Sequence, residues 1–123
     1  VFQMEPERHD DILGAVSHVP HILAYAAMNA LPDEALEDYS GGGFRDFSRI
    51  ASSDSIMWRD ICLSNQTAIL RWISRYEDAL AEIKDLISQG EETRLEAVFR
   101  SAKERRDSFV ISQENSEESS SDT

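Results

Sequence analysis

The stretch ILRWISRYEDALAEIKDLISQG, residues 69–90, places apolar side chains at alternating intervals of four and three residues. The positions are Ile69, Ile73, Tyr76, Leu80, Ile83 and Ile87. This spacing is typical of a helix that packs along another helix at a shallow angle. Gly90 follows the last position, and glycine commonly ends a helix because it adopts a left-handed backbone conformation without steric cost. We therefore predict one long helix that is closed by Gly90.

A second helical pattern precedes this stretch, from Pro6 to Leu31. Its middle part reads SHVPHILAY (17–25), in which two histidines and a proline interrupt an apolar run. Because Pro20 has no N–H and its ring collides with the carbonyl four residues earlier, we predict a bend near Pro20 that frees the carbonyl of Val16.

The remaining segments also follow helical signals. We predict a loop over 32–43 that can hold a short turn of helix and ends in three glycines, which allow free φ/ψ angles and close approach of the backbone. A short helix should follow over 44–51, and then a further helix that is capped by the residues 52–54 and ends near Asn65. A last helix should cover about 91–107, and the acidic, serine-rich residues 112–123 should be disordered. No alternating strand pattern competes, so we predict an all-α fold with one helical domain over 1–111.

Composition excludes several classes of function. The net charge of -12 opposes binding to nucleic acid, whose affinity depends on basic side chains. No apolar run is long enough to span a membrane, and the single cysteine, Cys62, fits a buried thiol in a reducing compartment, so we expect a cytoplasmic protein. The chain enters a helical pattern almost at once after Val1, which leads us to expect a fragment of a longer protein.

Two clusters are candidates for chemistry. His9, His18 and His21 lack the i, i+4 spacing of a helix-borne zinc site, so we predict no metal, and local hydrogen bonding of the histidines is the alternative to a ligand site. The second cluster, GGGFRDFSRIASSD (41–54), places Arg45 and Arg49 four residues apart beside a glycine run. Its arginines suit a small anion such as a carboxylate, and the alternative is a surface salt bridge between Asp46 and Arg49.

SHVPHILAYAAMNAL (17–31), GGGFRDFSRIASSD (41–54) and MWRDICLSN (57–65), in this order, closely resemble the C-terminal helical domain of the prephenate dehydrogenase family, which is also called cyclohexadienyl or arogenate dehydrogenase. The resemblance implies a helical bundle in an intertwined homodimer. It implies a larger enzyme whose N-terminal Rossmann domain binds NAD or NADP, so no cofactor-binding or catalytic residue is expected in this chain. The implied reaction is the oxidative decarboxylation of prephenate to 4-hydroxyphenylpyruvate on the route to tyrosine.

The resemblance also implies roles for particular residues. Arg49 matches the family arginine that binds the substrate carboxylate, and His21 matches the residue that lies against the substrate. His18 and His9 match histidines that line the cleft or fix the domain junction. Asp46 and Trp58 match positions that orient the arginine and gate the site, although a tryptophan among apolar neighbours is also typical of a core.

The alternative function is a helical dimerisation module that binds no small molecule. The sequence leaves open whether the substrate is prephenate or arogenate, whether the cofactor is NAD or NADP, whether tyrosine inhibits the protein, and whether another domain follows.

Overall fold

The computed structural model describes residues 5–39 and 41–121, with the backbone alone for 37–39 and 116–121. These residues form seven α-helices and, within the described ranges, no β-strand, which confirms the all-α class. The helices are α1 (Pro6–Leu13), α2 (Val19–Ala30), α3 (Asp33–Tyr39), α4 (Gly42–Ser48), α5 (Ser55–Ser64), α6 (Gln66–Ser88) and α7 (Glu92–Ser121). A π-helical turn, Gly14–His18, joins α1 to α2, and a 3₁₀ turn, Arg49–Ser52, follows α4.

The end of α6 confirms the prediction made for Gly90. Its φ angle is +66°, in the left-handed region that favours glycine. The Gly90 N–H donates to the carbonyl of Ile87 at 3.1 Å, and the Glu91 N–H donates to the carbonyl of Leu86 at 2.9 Å. These two bonds are those of a Schellman motif, so the last carbonyls of α6 are satisfied by the chain that leaves the helix.

The capping prediction for α5 is also confirmed. Asp54 precedes the helix, and its carboxylate oxygen Oδ1 accepts the backbone N–H groups of Ile56 at 2.9 Å and Met57 at 3.4 Å. Asn65 lies at the other end, as the C-cap residue. Ordinary capping by a side chain therefore places Asp54 at the start of α5, whereas Asn65 ends the helix through its backbone N–H, which donates to the carbonyl of Ile61.

Where we predicted a bend in the first helix, the structure has the π-helical turn. The Val19 N–H bonds the carbonyl of Gly14, five residues earlier, and Pro20 follows at the start of α2. A π-turn widens the helix locally, which allows a proline to follow it inside a continuous helical run.

Two predicted boundaries are wrong. The short helix allowed within 32–43 is present as α3, but α4 begins at Gly42, inside the glycine run, rather than at Phe44. The last helix does not end near Asp107 but continues to Ser121, because no glycine or proline interrupts the backbone hydrogen bonding after Glu92. Ser40 and residues 122–123 lie outside the described residues. The predicted disorder of residues 112–123 stays a prediction.

The chain divides into two compact units, Val1–Tyr76 and Glu77–Thr123. The boundary lies inside α6. The helical substrate-binding and dimerisation domain over 1–111 stays a prediction. The first unit has a small core that includes Val19 and Ala24 of α2, Trp58 of α5, and Ala68 and Ile69 of α6. In the second unit Leu86 is buried, whereas Leu80, Ile87 and Phe99 are exposed. Among the described residues no helix is long and apolar enough to cross a membrane.

Candidate functional site

The candidate site lies in the first unit, around the ring of Trp58. This side chain is only 8% exposed and contacts both histidines of the motif SHVPH. The His21 ring is stacked on it, with centroids 3.9 Å apart and planes 17° apart. The His18 ring meets it edge-on, at 5.9 Å and 82°. Three predicted site residues, His18, His21 and Trp58, are therefore brought together from α5 and the segment around Pro20.

His21 is held by the backbone of its own segment. Its ring nitrogen Nδ1 lies 3.0 Å from the carbonyl oxygen of Ser17. A carbonyl only accepts, so Nδ1 carries a hydrogen, and in the neutral form of the ring Nε2 has the lone pair. We had predicted that the carbonyl of Val16 would be released by Pro20; the carbonyl that takes the side-chain donor is that of Ser17, one residue further along.

His18 is held by a residue that sequence reasoning missed. The side-chain nitrogen Nδ2 of Asn65 lies 3.2 Å from His18 Nδ1 and 2.8 Å from the carbonyl oxygen of Asp10. Partial burial lowers the pKa of His18 below its ordinary value of 6.5; the nearby Asp10 opposes this effect, and the nearby His21 adds to it. His18 is therefore neutral at physiological pH.

The segment that carries both histidines is fixed to α6 by three contacts. The indole Nε1–H of Trp72 donates to Asp11 Oδ1 at 2.9 Å, and the guanidinium of Arg71 forms an ion pair with the same carboxylate. The hydroxyl of Tyr76 donates to the carbonyl of Ala15 at 3.0 Å.

Gly14 supplies a fourth contact. It is buried, and a Cβ placed on it would lie 3.5 Å from the Cβ of Ala68 and from Cδ1 of Trp72. The backbone of the π-helical turn therefore lies directly against α6, which limits how far the two histidines can move.

Arg49 and Asp46 lie on elements that pack against α2. The 3₁₀ turn that begins with Arg49 contacts both α2 and α4. The hydroxyl of Tyr25, on α2, donates to the carbonyl of Ser53 at 3.0 Å and so ties the residues after this turn to the helix that holds His21. Arg49 and Asp46 are both exposed. Within the described part of the chain they form no ion pair with each other, so the salt-bridge alternative is not found.

The structure does not bring His9 into this cluster. His9 is exposed, and its ion-pair contact among the described residues is with the adjacent Asp10, at 3.9 Å. Nor do the described residues contain a group of three or more His, Cys, Asp or Glu side chains placed to hold a metal ion. Cys62 is half-buried, and burial raises the pKa of its thiol, which disfavours the reactive thiolate.

The glycines 41–43 have no steric role among the described residues. A Cβ built on any of them meets nothing within 4 Å, and none has a positive φ angle. Close approach of the chain itself, which we had offered as a reason for the glycine run, is therefore not observed.

Comparison with known proteins identifies the family. Residues 5–101 match the family model described as prephenate dehydrogenase, dimerization domain. The chain belongs to this family. The match covers all three segments on which the resemblance rested, residues 17–31, 41–54 and 57–65.

Relatives in the prephenate dehydrogenase family agree with this assignment. The chain is 34% identical over 116 residues to the prephenate dehydrogenase of Bacillus subtilis, a match that covers 90% of this chain and 31% of the relative. It is 34% identical over 89 residues to the cyclohexadienyl dehydrogenase of Zymomonas mobilis, covering 68% of this chain and 29% of the relative. The chain thus spans about a third of the length of the curated relatives it matches.

A solved structure shares both sequence and fold. The crystal structure of prephenate dehydrogenase from A. aeolicus in complex with hydroxyphenyl propionate and NAD+ is similar with a TM-score of 0.77 and 42% identity. The match covers 84% of this chain and 38% of the A. aeolicus chain.

Proposed function

We propose that this chain is the C-terminal, substrate-binding and dimerisation part of a longer NAD(P)-dependent prephenate or arogenate dehydrogenase. That enzyme would catalyse the oxidative decarboxylation of prephenate to 4-hydroxyphenylpyruvate, or the matching reaction of arogenate. The family membership and the share of each relative that the chain covers support this proposal.

The observation that carries the proposal is the state of Arg49. Its side chain is exposed, it has no carboxylate partner among the described residues, and its 3₁₀ turn packs against the helix that holds His21. A guanidinium that is not neutralised by its own chain is available to bind a substrate carboxylate through two parallel hydrogen bonds. His21, His18 and Trp58 would then form the rest of the same site. An orienting role for Asp46 stays a prediction, since it forms no ion pair with Arg49 among the described residues.

The described residues do not fit a dinucleotide. Such a site needs a glycine-rich turn between a β-strand and a helix, whereas the glycine run 41–43 follows a helix and opens the seven-residue helix α4. We therefore assign NAD or NADP to the part of the enzyme outside this chain. The A. aeolicus relative, crystallised with NAD+, is more than twice as long as the matched region, which agrees with this division.

We propose a homodimer formed through the second unit. Leu80 and Ile87 on α6 are 67% and 59% exposed, and Phe99 on α7 is 51% exposed. A monomer rarely leaves such a row of large apolar side chains in water, and a symmetric dimer would cover it. Sedimentation equilibrium at micromolar concentration should give twice the chain mass, and a monomer would contradict the proposal.

The test of substrate binding compares two arginines in the full-length dehydrogenase. Arg49→Ala should raise the KM for prephenate roughly ten- to several-hundred-fold, as expected for loss of a charge-assisted hydrogen bond worth about 1.5–3 kcal/mol. The matched control is Arg45→Ala, because Arg45 is also exposed, has no ion-pair partner among the described residues and lies four positions earlier. It should change KM by less than about threefold.

Arg49→Lys should recover part of the loss, because lysine keeps the charge without the planar two-pronged contact. The affinity for the cofactor should stay the same in all three variants. Equal KM values for Arg49→Ala and Arg45→Ala would remove the substrate-binding role and favour the alternative, a helical dimerisation module that binds no small molecule.

A further inference from the structure

The hydrogen bonds of Asn65 determine the orientation of its side-chain amide, that is, which position holds the NH₂ group and which holds the oxygen. One group lies 2.8 Å from the carbonyl oxygen of Asp10, which can only accept. That group must therefore be the amide NH₂ rather than the amide oxygen. The NH₂ has a second hydrogen, and its other neighbour is His18 Nδ1 at 3.2 Å. Two donors meet two acceptors, so the amide orientation is internally consistent.

This geometry places the proton of the neutral His18 ring. Because Nδ1 accepts from Asn65, it carries no hydrogen, and the hydrogen lies on Nε2. A proton on Nδ1 would place two donors face to face. The lowered pKa of His18 agrees with this arrangement, since partial burial disfavours the charged ring.

The second histidine has the opposite arrangement. His21 donates from Nδ1 to the carbonyl of Ser17, so its Nε2 keeps a lone pair. Both rings contact Trp58, which restricts their rotation. The two rings therefore differ at Nε2. His18 has an N–H there, which donates, and His21 has a lone pair there, which accepts.

We propose that Asn65 is a positioning residue that fixes His18 as its Nε2–H tautomer, so that the two histidines offer a ligand one donor and one acceptor. The meaning of this pair rests on the proposed function. A neutral group that both donates and accepts, such as a hydroxyl, is matched by it. A carboxylate only accepts and would meet the lone pair of His21, so the carboxylate is left to Arg49.

Nitrogen-15 NMR of the uniformly labelled chain tests the proposal without any ligand. Long-range proton–nitrogen spectra should show His18 protonated on Nε2 and His21 protonated on Nδ1. A scalar coupling across the hydrogen bond should connect Asn65 Nδ2 with His18 Nδ1. A His18 proton on Nδ1, or absence of that coupling, would overturn the proposal, and these spectra of the unsubstituted chain decide it by themselves.

A substitution then separates positioning from simple support. In Asn65→Asp the carboxylate can only accept, so the Nδ1-protonated forms of His18 should change from the minor to the major population at neutral pH. The control is Ser64→Ala, at the position next to Asn65. It removes a local hydrogen bond to the carbonyl of Ile61 and should leave the tautomers of His18 and His21 unchanged.

If folded Asn65→Asp keeps the Nε2–H form of His18 and is merely less stable, Asn65 has a structural role alone and the inference is wrong. Because no ligand is added, these outcomes are independent of the KM comparison at Arg49, so a failure of either proposal can be recognised separately.

Discussion

The hydrogen bond between Trp72 and Asp11 joins residues 61 positions apart and holds the histidine segment against α6. We expect its removal to loosen the whole first unit. The perturbation is Trp72→Phe, which deletes the indole N–H that donates to Asp11 Oδ1 at 2.9 Å and keeps an aromatic ring beneath Arg75, whose guanidinium carbon lies 4.6 Å from the Trp72 centroid.

The magnitude follows from the surroundings of the carboxylate. A hydrogen bond to a charged group contributes about 1.5–3 kcal/mol when water is excluded. The Asp11 side chain is 33% exposed and keeps its ion pair with Arg71, so water replaces part of the lost bond. We therefore expect a contribution at or below the lower limit of this range, about 1–1.5 kcal/mol. The smaller ring adds a packing loss of about 1 kcal/mol, so Trp72→Phe should lower the free energy of unfolding by roughly 2–2.5 kcal/mol.

A double-mutant cycle isolates the hydrogen bond from the packing loss. The four proteins are the unsubstituted chain, Trp72→Phe, Asp11→Ala and the double variant. Urea unfolding is followed by the fluorescence of Trp58, which lies in the first unit and is present in all four, at one protein concentration because association shifts apparent stability. The coupling free energy should be about 1–1.5 kcal/mol.

The control cycle uses Arg59 and Asp60, whose side chains form an ion pair at 2.9 Å while 62% and 64% exposed. Their coupling should stay below about 0.5 kcal/mol, as is usual for an exposed pair. A coupling for Asp11 and Trp72 as small as that of the control pair would refute the claim that this contact holds the segment in place.

Three further predictions concern single positions. Gly14→Ala should raise the free energy of unfolding by about 0.5–1 kcal/mol in the same urea assay, because its φ of -56° is helical and the added Cβ would meet Ala68 at an ordinary contact distance of 3.5 Å; a loss of stability would show that the turn needs glycine. The contribution of His18 to the free energy of unfolding should be fully present above pH 6.5 and decrease as the pH falls toward the lowered pKa of the folded state, because the unfolded ring binds a proton more readily. His18→Gln should flatten this pH dependence in urea titrations at several pH values. Removal of residues 112–123 should leave the melting temperature and dimerisation unchanged, and a drop of several degrees in calorimetry would show that this segment docks.

Local rules predicted the elements that are governed by neighbouring residues. The periodicity of 69–87, the C-terminal glycine of α6 and the Asp54 cap depend on side chains within a few positions of one another, and all three are confirmed. The end of α7 was wrong because an acidic, serine-rich composition gives no stop signal when glycine and proline are absent. Composition describes the tendency of a segment to pack, not the residue at which its backbone hydrogen bonding ends.

The partners of the candidate site residues could not be read from local spacing. Asn65 lies 47 positions from His18, and Trp72 lies 61 positions from Asp11. A lone asparagine at the end of a helix is an ordinary C-cap residue, and a tryptophan in an apolar seam is an ordinary core residue. The polar contacts of both side chains join segments that are far apart in the chain, and pattern analysis of one helix at a time does not contain such contacts.

Pro20, His18 and His21 belong to one structural arrangement around the π-helical turn. Pro20 cannot donate, and the π-helical turn before it replaces the usual four-residue bonding with the bond from Val19 to Gly14. Next to Pro20, the carbonyl of Ser17 accepts the Nδ1–H of His21. Nδ1 is therefore occupied by the backbone, and Nε2 remains for a ligand. The π-helical turn therefore accommodates the proline, and the separate bond from His21 Nδ1 to the Ser17 carbonyl fixes which nitrogen of the neutral His21 ring carries the proton.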